Sequence, residues 1–253
     1  MRSSPSALLD GLIAPAPAPR RIAFLSRQPF AHRGLHGPGI VENSRAAFRA
    51  AIALGHGIEC DVQAARGGEA FVFHDDGLDR LTGESGAVAD RTAAALDRIM
   101  LEGTGETLPR LSEMLTLVAG RVPLLIEIKA RHRAAHPLCM SVRRSLEGYR
   151  GAVAVMSFNP EVGRWFARHG PHVTRGLVVS GQGKPRLRGR IERRLALWRA
   201  RPDFLAYDVR DLPCRFAATA RRRGLPVLTW TVRGAAAEAT AAAHADAMIY
   251  ERT

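Results

Sequence analysis

Short apolar runs recur along the chain, and between them lie longer stretches whose apolar residues fall at helical spacing. The runs are PFAHRG (Pro29–Gly34), GIECDV (Gly57–Val62), PLLIEIK (Pro123–Lys129), VAVMSF (Val153–Phe158), RGLVVS (Arg175–Ser180), DFLAYDV (Asp203–Val209), PVLTWTV (Pro226–Val232) and DAMIY (Asp246–Tyr250). Each reads as a buried strand. The stretches RLSEMLTLVAG (Arg110–Gly120) and PEVGRWFARHG (Pro160–Gly170) predict helices. The second has Asn159 as an N-cap, Pro160 in its first turn and Gly170 just past its end. Strands that alternate with helices are parallel strands joined by crossovers. Eight of them in 253 residues predict an α/β fold of the (β/α)8 TIM-barrel class. No strand is followed by the glycine fingerprint that an open, dinucleotide-binding sheet would show.

One segment breaks the rhythm. AFVFHD (Ala70–Asp75) follows IECDVQ across a Gly-rich turn at Arg66–Gly68, which is too short for a crossover and predicts a hairpin. Together with the polar stretch to Glu106 it predicts an insertion on the barrel rim, about residues 64–108. The expected organisation is a single barrel domain over 29–253, preceded by a leader over 1–28 that is a short helix or flexible, with APAPAP as a stiff spacer.

Composition narrows the setting. The chain is 46% hydrophobic, ordinary for a globular protein. No run approaches the roughly 18–20 apolar residues needed to span a bilayer. Asp10 and Gly11 interrupt the only apolar stretch near the N-terminus, so it does not read as a secretory signal. Cys60, Cys139 and Cys214 are odd in number and in no metal-ligand spacing, which predicts a reducing, cytoplasmic compartment. The formal net charge is +13, and all but Lys129 and Lys184 of the 37 basic residues are Arg. An Arg and Ala bias of this kind is a genomic habit before it is a function, although it would attract anionic partners. The clusters Arg186–Arg194 and Arg221–Arg223 carry no interleaved aromatics, so nucleic acid is not an expected partner.

The chemistry gathers at strand ends. His32 and Arg33 end the first run, Glu59 and Asp61 the second, His74 the hairpin strand, and Glu127 and Lys129 the next. Residues two apart on a strand share a face, so Glu59 pairs with Asp61 and Glu127 with Lys129. C-terminal strand ends of a barrel converge on one mouth, where active sites lie. Three carboxylates aimed into it call for a divalent cation, and hard oxygen ligands favour Mg²⁺ or Ca²⁺. Taken singly, a Glu-x-Asp strand, a lone His or a His-Arg pair is unspecific. Their common position and apolar flanks are what single them out.

In order, the motifs AHRG, ENS opening a helix, IECDVQ, VFHDDGLDRLTGESG and LLIEIK resemble the glycerophosphodiester phosphodiesterase family, as do Ser157-Phe158, TWTV at Thr229–Val232 and the closing DAMIYERT. The resemblance covers the chain from about Phe30 onward. It implies a (β/α)8 barrel with a small insertion, one divalent cation, and hydrolysis of a small-molecule glycerophosphodiester to glycerol 3-phosphate and an alcohol. It implies His32 and His74 as catalytic acid and base, Glu59, Asp61 and Glu127 as metal ligands, Arg33 and Lys129 on the phosphate, and Glu42 in the site region. Ser44 stands where the family has Thr, Glu251 where it has Asp, and ARGGEA lacks its usual Asp-Gly turn. Phe158 and Trp230, at strand ends, are candidate walls of the substrate pocket, and Asp208 and Arg210 candidate contacts to the alcohol. The sequence orders neither the two histidines as base and acid, nor a cyclic phosphate against direct attack by water. Two alternatives stand beside this reading. One is a phospholipase of the same superfamily (lysophospholipase D or sphingomyelinase-D-like), which the polar loops HGPGIV and DDGLDRLTGESG disfavour. The other is a non-enzymatic basic protein binding nucleic acid or anionic surfaces. No stable membrane insertion is expected, and the oligomeric state is not readable.

Overall fold

The computed structural model describes residues 5–130, 135–183 and 186–252. In chain order its regular elements are α1 (Pro5–Ile13), α2 (Pro19–Ile22), β1 (Phe30–Ala31), α3 (Arg45–Ala53), β2 (Gly57–Ala64), β3 (Ala70–Val72), α4 (Ala93–Leu96), α5 (Leu111–Val118), β4 (Leu124–Ile128), α6 (Ala135–Ser145), β5 (Val153–Ser157), α7 (Pro160–His169), β6 (Thr174–Val179), α8 (Arg186–Ala200), β7 (Phe204–Asp208), α9 (Arg215–Arg222), β8 (Val227–Val232), α10 (Gly234–His244) and β9 (Ala247–Tyr250). Parallel strands alternating with helices make the fold a (β/α)8 barrel, as the apolar rhythm predicts. No helix among the described residues is long and apolar enough to cross a membrane. The residues group into two compact units, 30–153 in one and 154–251 with the N-terminal residues up to Pro29 in the other.

In the unit of residues 30–153, β2 is the central strand. It pairs in parallel with β1, Ala31 opposite Ile58, and with β4, Asp61 opposite Glu127. Its last three residues pair antiparallel with β3. The predicted hairpin is therefore present, and it lengthens β2: Glu59 and Asp61 lie inside the strand rather than at its end, because Val62–Ala64 have a partner in Ala70–Val72. The segment after β3 has its own apolar centre, with Phe71, Phe73, Leu78, Leu96, Leu101 and Leu108 buried together. β1 is shorter than its run predicts, so His32 and Arg33 fall in the turn after it. That turn closes against α3, whose N-cap is Ser44, its Oγ accepting from Ala47 N at 3.1 Å.

In the other unit β5 to β9 run parallel, each paired with the next. α7 carries the punctuation read from sequence, Asn159 accepting from Glu161 N at 3.0 Å, Pro160 in the first turn and Gly170 after the last. The leader forms the short helix α1 and is anchored by polar contacts; residues 1–4 lie outside the described residues. Asp10 is buried against Arg194 and Trp198, Arg21 pairs with Asp203 at 2.9 Å, and Arg223 donates to the Ala14 carbonyl at 2.8 Å. One buried carboxylate of the leader, Asp10, and one of the body, Asp203, thus tie the short segment down.

Gly34 sets how closely the Arg33 turn approaches α3. Its φ is +77°, and a Cβ there would lie 2.8 Å from Ala47 Cβ. Gly34→Ala is expected to lower unfolding free energy by about 2 kcal/mol in urea titration. A loss below about 0.5 kcal/mol would mean that the turn relaxes freely.

Candidate active site

β2 and β4 place three carboxylates at one spot. Alternation puts Glu59 and Asp61 on one face of β2, and the Asp61–Glu127 register adds the third from β4. All three are buried, and each offers an oxygen within 4.8 Å of the others. Glu59 Oε1 is buried without a hydrogen-bond partner. Burial, then the neighbouring charges of Asp61 and Glu127, push the Glu59 carboxyl well above the usual range. Burial also raises Glu127, against the pull of Lys129. Burial acts on Asp61 in the same sense, but Lys129, His74, Arg33 and His32 together outweigh it and hold that carboxyl low.

Two cations face the three anions. Lys129 follows β4 and bridges two of them, Nζ lying 2.9 Å from Asp61 Oδ1 and 2.7 Å from Glu127 Oε1. Burial disfavours its charge, yet Asp61 and Glu127 hold it protonated above its ordinary value. Arg33 has φ +54°, which turns its backbone N–H onto Glu59 Oε2 at 3.0 Å while its Nε lies 3.5 Å from Asp61 Oδ2. His32 Nε2 is 3.9 Å from Glu59 Oε2.

A second layer holds these groups. Asn43, φ +56°, donates from Nδ2 to Asp61 Oδ2 at 3.0 Å and accepts from Asp61 N at 3.3 Å. Capping of α3 falls to Ser44 alone, since Asn43 is spent on Asp61. Glu42 accepts from Arg33 Nη1 at 2.8 Å and from Arg80 Nη2 at 2.6 Å. Arg80 also donates from Nε to Asp75 Oδ2, and Asp75 Oδ1 meets His74 Nδ1, both at 2.5 Å. Gln63 Nε2 donates to the His74 carbonyl at 3.0 Å. One chain of contacts thus runs His74–Asp75–Arg80–Glu42–Arg33. Asp75 and Arg80 were not singled out from sequence, and Asn43 only as a candidate cap, beside Ser44, of the helix that ENS opens. They sit within the motifs ENS and HDDGLDR, and only the left-handed backbone at Asn43 and the loop path to Arg80 reveal what they touch.

The structure brings His32, Arg33, Glu42, Glu59, Asp61, His74, Glu127 and Lys129 into the unit of residues 30–153. Phe158 and Trp230 belong to the other unit, where their rings meet edge to face at 5.5 Å. Phe158 follows β5 and is exposed, and Trp230 lies within β8 with Nε1 donated to the Ala206 carbonyl. Asp208 is buried and taken up by Ser180 and by Arg210, which chelates it at 2.6–2.9 Å, so no acceptor of this pair stands free for an alcohol.

The oxygen-only trio suits a hard divalent cation. Three buried carboxylates face two cations, and Glu59 Oε1 has no hydrogen-bond partner.

Comparison with known proteins bears on most of the chain. The model of the glycerophosphoryl diester phosphodiesterase family matches residues 32–253. A glycerophosphodiester phosphodiesterase of Bacillus altitudinis is 40% identical over 110 residues, covering 41% of this chain and 44% of that protein. One from Caldanaerobacter subterraneus is 32% identical over 158 residues, covering 58% of this chain and 65% of that protein. The chain thus spans less than two thirds of the length of these curated relatives. An Oleispira antarctica phosphodiesterase solved with the product sn-glycerol-3-phosphate has the same fold, with a TM-score of 0.76, 20% identity and coverage of 90% of this chain and 93% of that one.

The Asp75 carboxyl is lowered to about 2, first by the Arg80 hydrogen bond and then by His74. A carboxyl depressed on folding stabilises above its unfolded value of roughly 4 and loses that contribution as pH falls through the folded one. Urea stability measured between about pH 5 and pH 2 should therefore fall less steeply in Asp75→Asn than in the parent. Equal slopes would mean that the Arg80 contact does not persist in solution.

Proposed function

The chain belongs to the glycerophosphoryl diester phosphodiesterase family, and from that premise we propose that it is a metal-dependent glycerophosphodiester phosphodiesterase. The single observation that carries the metal dependence is the buried trio Glu59, Asp61 and Glu127, with more negative charge than Arg33 and Lys129 offset. These three would hold one Mg²⁺ or Ca²⁺, which supplies a Lewis acid for a phosphoryl oxygen when bound. Hard oxygen donors and an unsatisfied Glu59 oxygen fit such an ion.

The rest is the work of side chains. Arg33 offers a planar fork and Lys129 a point charge to the remaining phosphoryl oxygens. Neither is free of protein carboxylates, so binding of an anionic substrate exchanges one set of anions for another around cations already held in place. His32 and His74 serve as acid and base: one takes the proton of the attacking hydroxyl as its P–O bond forms, the other protonates the departing alkoxide as its P–O bond breaks. Asp75 accepts from His74 Nδ1 and so leaves Nε2 as the atom that exchanges a proton with substrate. Glu42 and Arg80 tie that histidine's carboxylate to the phosphate-binding guanidinium, so a shift of either is felt by both. The substrate is a soluble phosphodiester of glycerol. The free thiols of Cys60, Cys139 and Cys214 support a reducing, cytoplasmic setting.

Release of glycerol 3-phosphate from glycerophosphocholine should require Mg²⁺ or Ca²⁺ and stop with a chelator or with Glu59→Gln. His32→Ala and His74→Ala should each lose about 10²–10⁴-fold in kcat with an unchanged melting temperature. Chelator-resistant release, or a fully active histidine variant, would overturn the assignment.

Raised carboxyl pKa values have a further consequence. Glu59 and Glu127 bind protons more tightly folded than unfolded, so without a cation their contribution is present at low pH and lost as pH rises through their folded values. Cation binding must displace those protons. The rise in melting temperature on adding Mg²⁺ or Ca²⁺ should therefore grow from about pH 5 to pH 8 and vanish in Glu59→Gln. A pH-independent shift would show that the trio is not where the ion binds.

A further inference from the structure

We propose that the outer face of α8 is a docking surface for anionic lipid membranes. This reading goes beyond the catalytic one and does not depend on it. A helix on the outside of a barrel ordinarily turns its apolar stripe inward and a polar face to water. In α8 the inward side is satisfied by Leu197 and Ala200, both buried with Leu177, Leu205 and Val227. A second apolar ridge nevertheless runs along the outside, where Leu187, Ile191 and Leu195, four residues apart, are 70%, 54% and 55% exposed. Single exposed leucines need no explanation, but three aligned on one helix face make a patch.

The patch is shaped and held. With Arg190, Arg194 and Trp198 the ridge lines a shallow groove of about 340 Å³. Trp198 Nε1 and Arg194 Nε both donate to Asp10 Oδ1, at 2.9 and 3.1 Å, from beneath, so a buried carboxylate of α1 fixes the edge of the groove. α1 itself leaves Leu12 81% exposed.

Charge decides the occupant. Arg190 and Arg194 line the groove beside the ridge, and exposed Arg188 pairs with Glu192, the one acidic residue of the helix. The chain carries +13 overall. A second copy would set two arginine-rich faces against each other. A nucleic acid would match the arginines but leave the leucines and isoleucine in water, and the one aromatic of the face has its N–H turned to Asp10. The boundary of an anionic bilayer matches both features, taking the apolar ridge at acyl depth and the guanidiniums at its headgroups. Docking of this kind is interfacial and reversible. It requires no spanning helix.

The test uses the full chain in flotation with vesicles of phosphatidylcholine alone or containing about 30% phosphatidylglycerol. Binding to the anionic vesicles is expected, at least about tenfold weaker on neutral ones and weakening with salt from about 0.05 to 0.3 M. Leu187→Glu/Ile191→Glu/Leu195→Glu should lose about tenfold or more with an unaltered circular-dichroism melt. Ile191→Glu alone, expected to weaken binding in the same direction, serves if the triple variant unfolds. Failure of the parent to float with anionic vesicles overturns the proposal, and so does undiminished binding of a folded variant. A parent that sediments as a dimer, with the triple variant a monomer, would assign the face to a second copy. Retention by duplex DNA but not by anionic vesicles would assign it to nucleic acid.

Discussion

Burial of three carboxylates on two adjacent strands is the constraint that the unit of residues 30–153 is built around. Two like charges about 4 Å apart cost about 4 kcal/mol at an effective dielectric of 20, and more as water is excluded. An exposed ion pair returns at most about 1 kcal/mol, so the compensation has to be buried with the charges. Lys129 therefore follows Glu127 on the same strand and bridges two anions. Arg33 gives Glu59 a backbone N–H and Asp61 a guanidinium, a pairing that needs the left-handed turn at Arg33 and Gly34. Asn43 supplies neutral hydrogen bonds to Asp61. Even so the balance stays negative, and Glu59 answers by holding its proton more tightly than an ordinary glutamate.

Much of this was legible in the sequence because strand chemistry is periodic. Apolar flanks made GIECDV and LLIEIK buried strands, and the two-residue period then put Glu59 with Asp61 and Glu127 with Lys129 on common faces. The barrel followed from the alternation of strands and helices in the same way. The capping residue Asn159 was legible for a related reason: a cap acts within one helical turn, so its signature is local.

Groups that act across loops were not legible. Arg80 reaches Glu42 over 38 positions, and no period or spacing links a guanidinium in DDGLDR to a carboxylate in ENS. Asp10 is a charge in a short apolar stretch, which reads as an interruption until Arg194 and Trp198 are seen closing over it. In α8 the density of arginine concealed the order of the apolar residues. Leu187, Ile191 and Leu195 occupy one face, but the composition averages them away, and only exposure separates that ridge from the buried Leu197.

The hairpin shows how a departure from the barrel rhythm serves the site. A barrel strand has no need to continue beyond its last barrel pairing, and β2 does so because β3 pairs with it at Val62–Ala64. That extension carries Gln63, which donates to the His74 carbonyl, and Phe73 N–H donates to the Asp61 carbonyl at 3.0 Å. Lys129 N–H in turn donates to the Val62 carbonyl at 3.0 Å. The carboxylates, the lysine that balances them and the loop bearing His74 are thus all referenced to one strand by backbone hydrogen bonds. Backbone bonds vary little with side-chain identity. His74 is thereby positioned through its backbone as well as through the contact of its ring with Asp75. The insertion is therefore part of the frame that holds the candidate site.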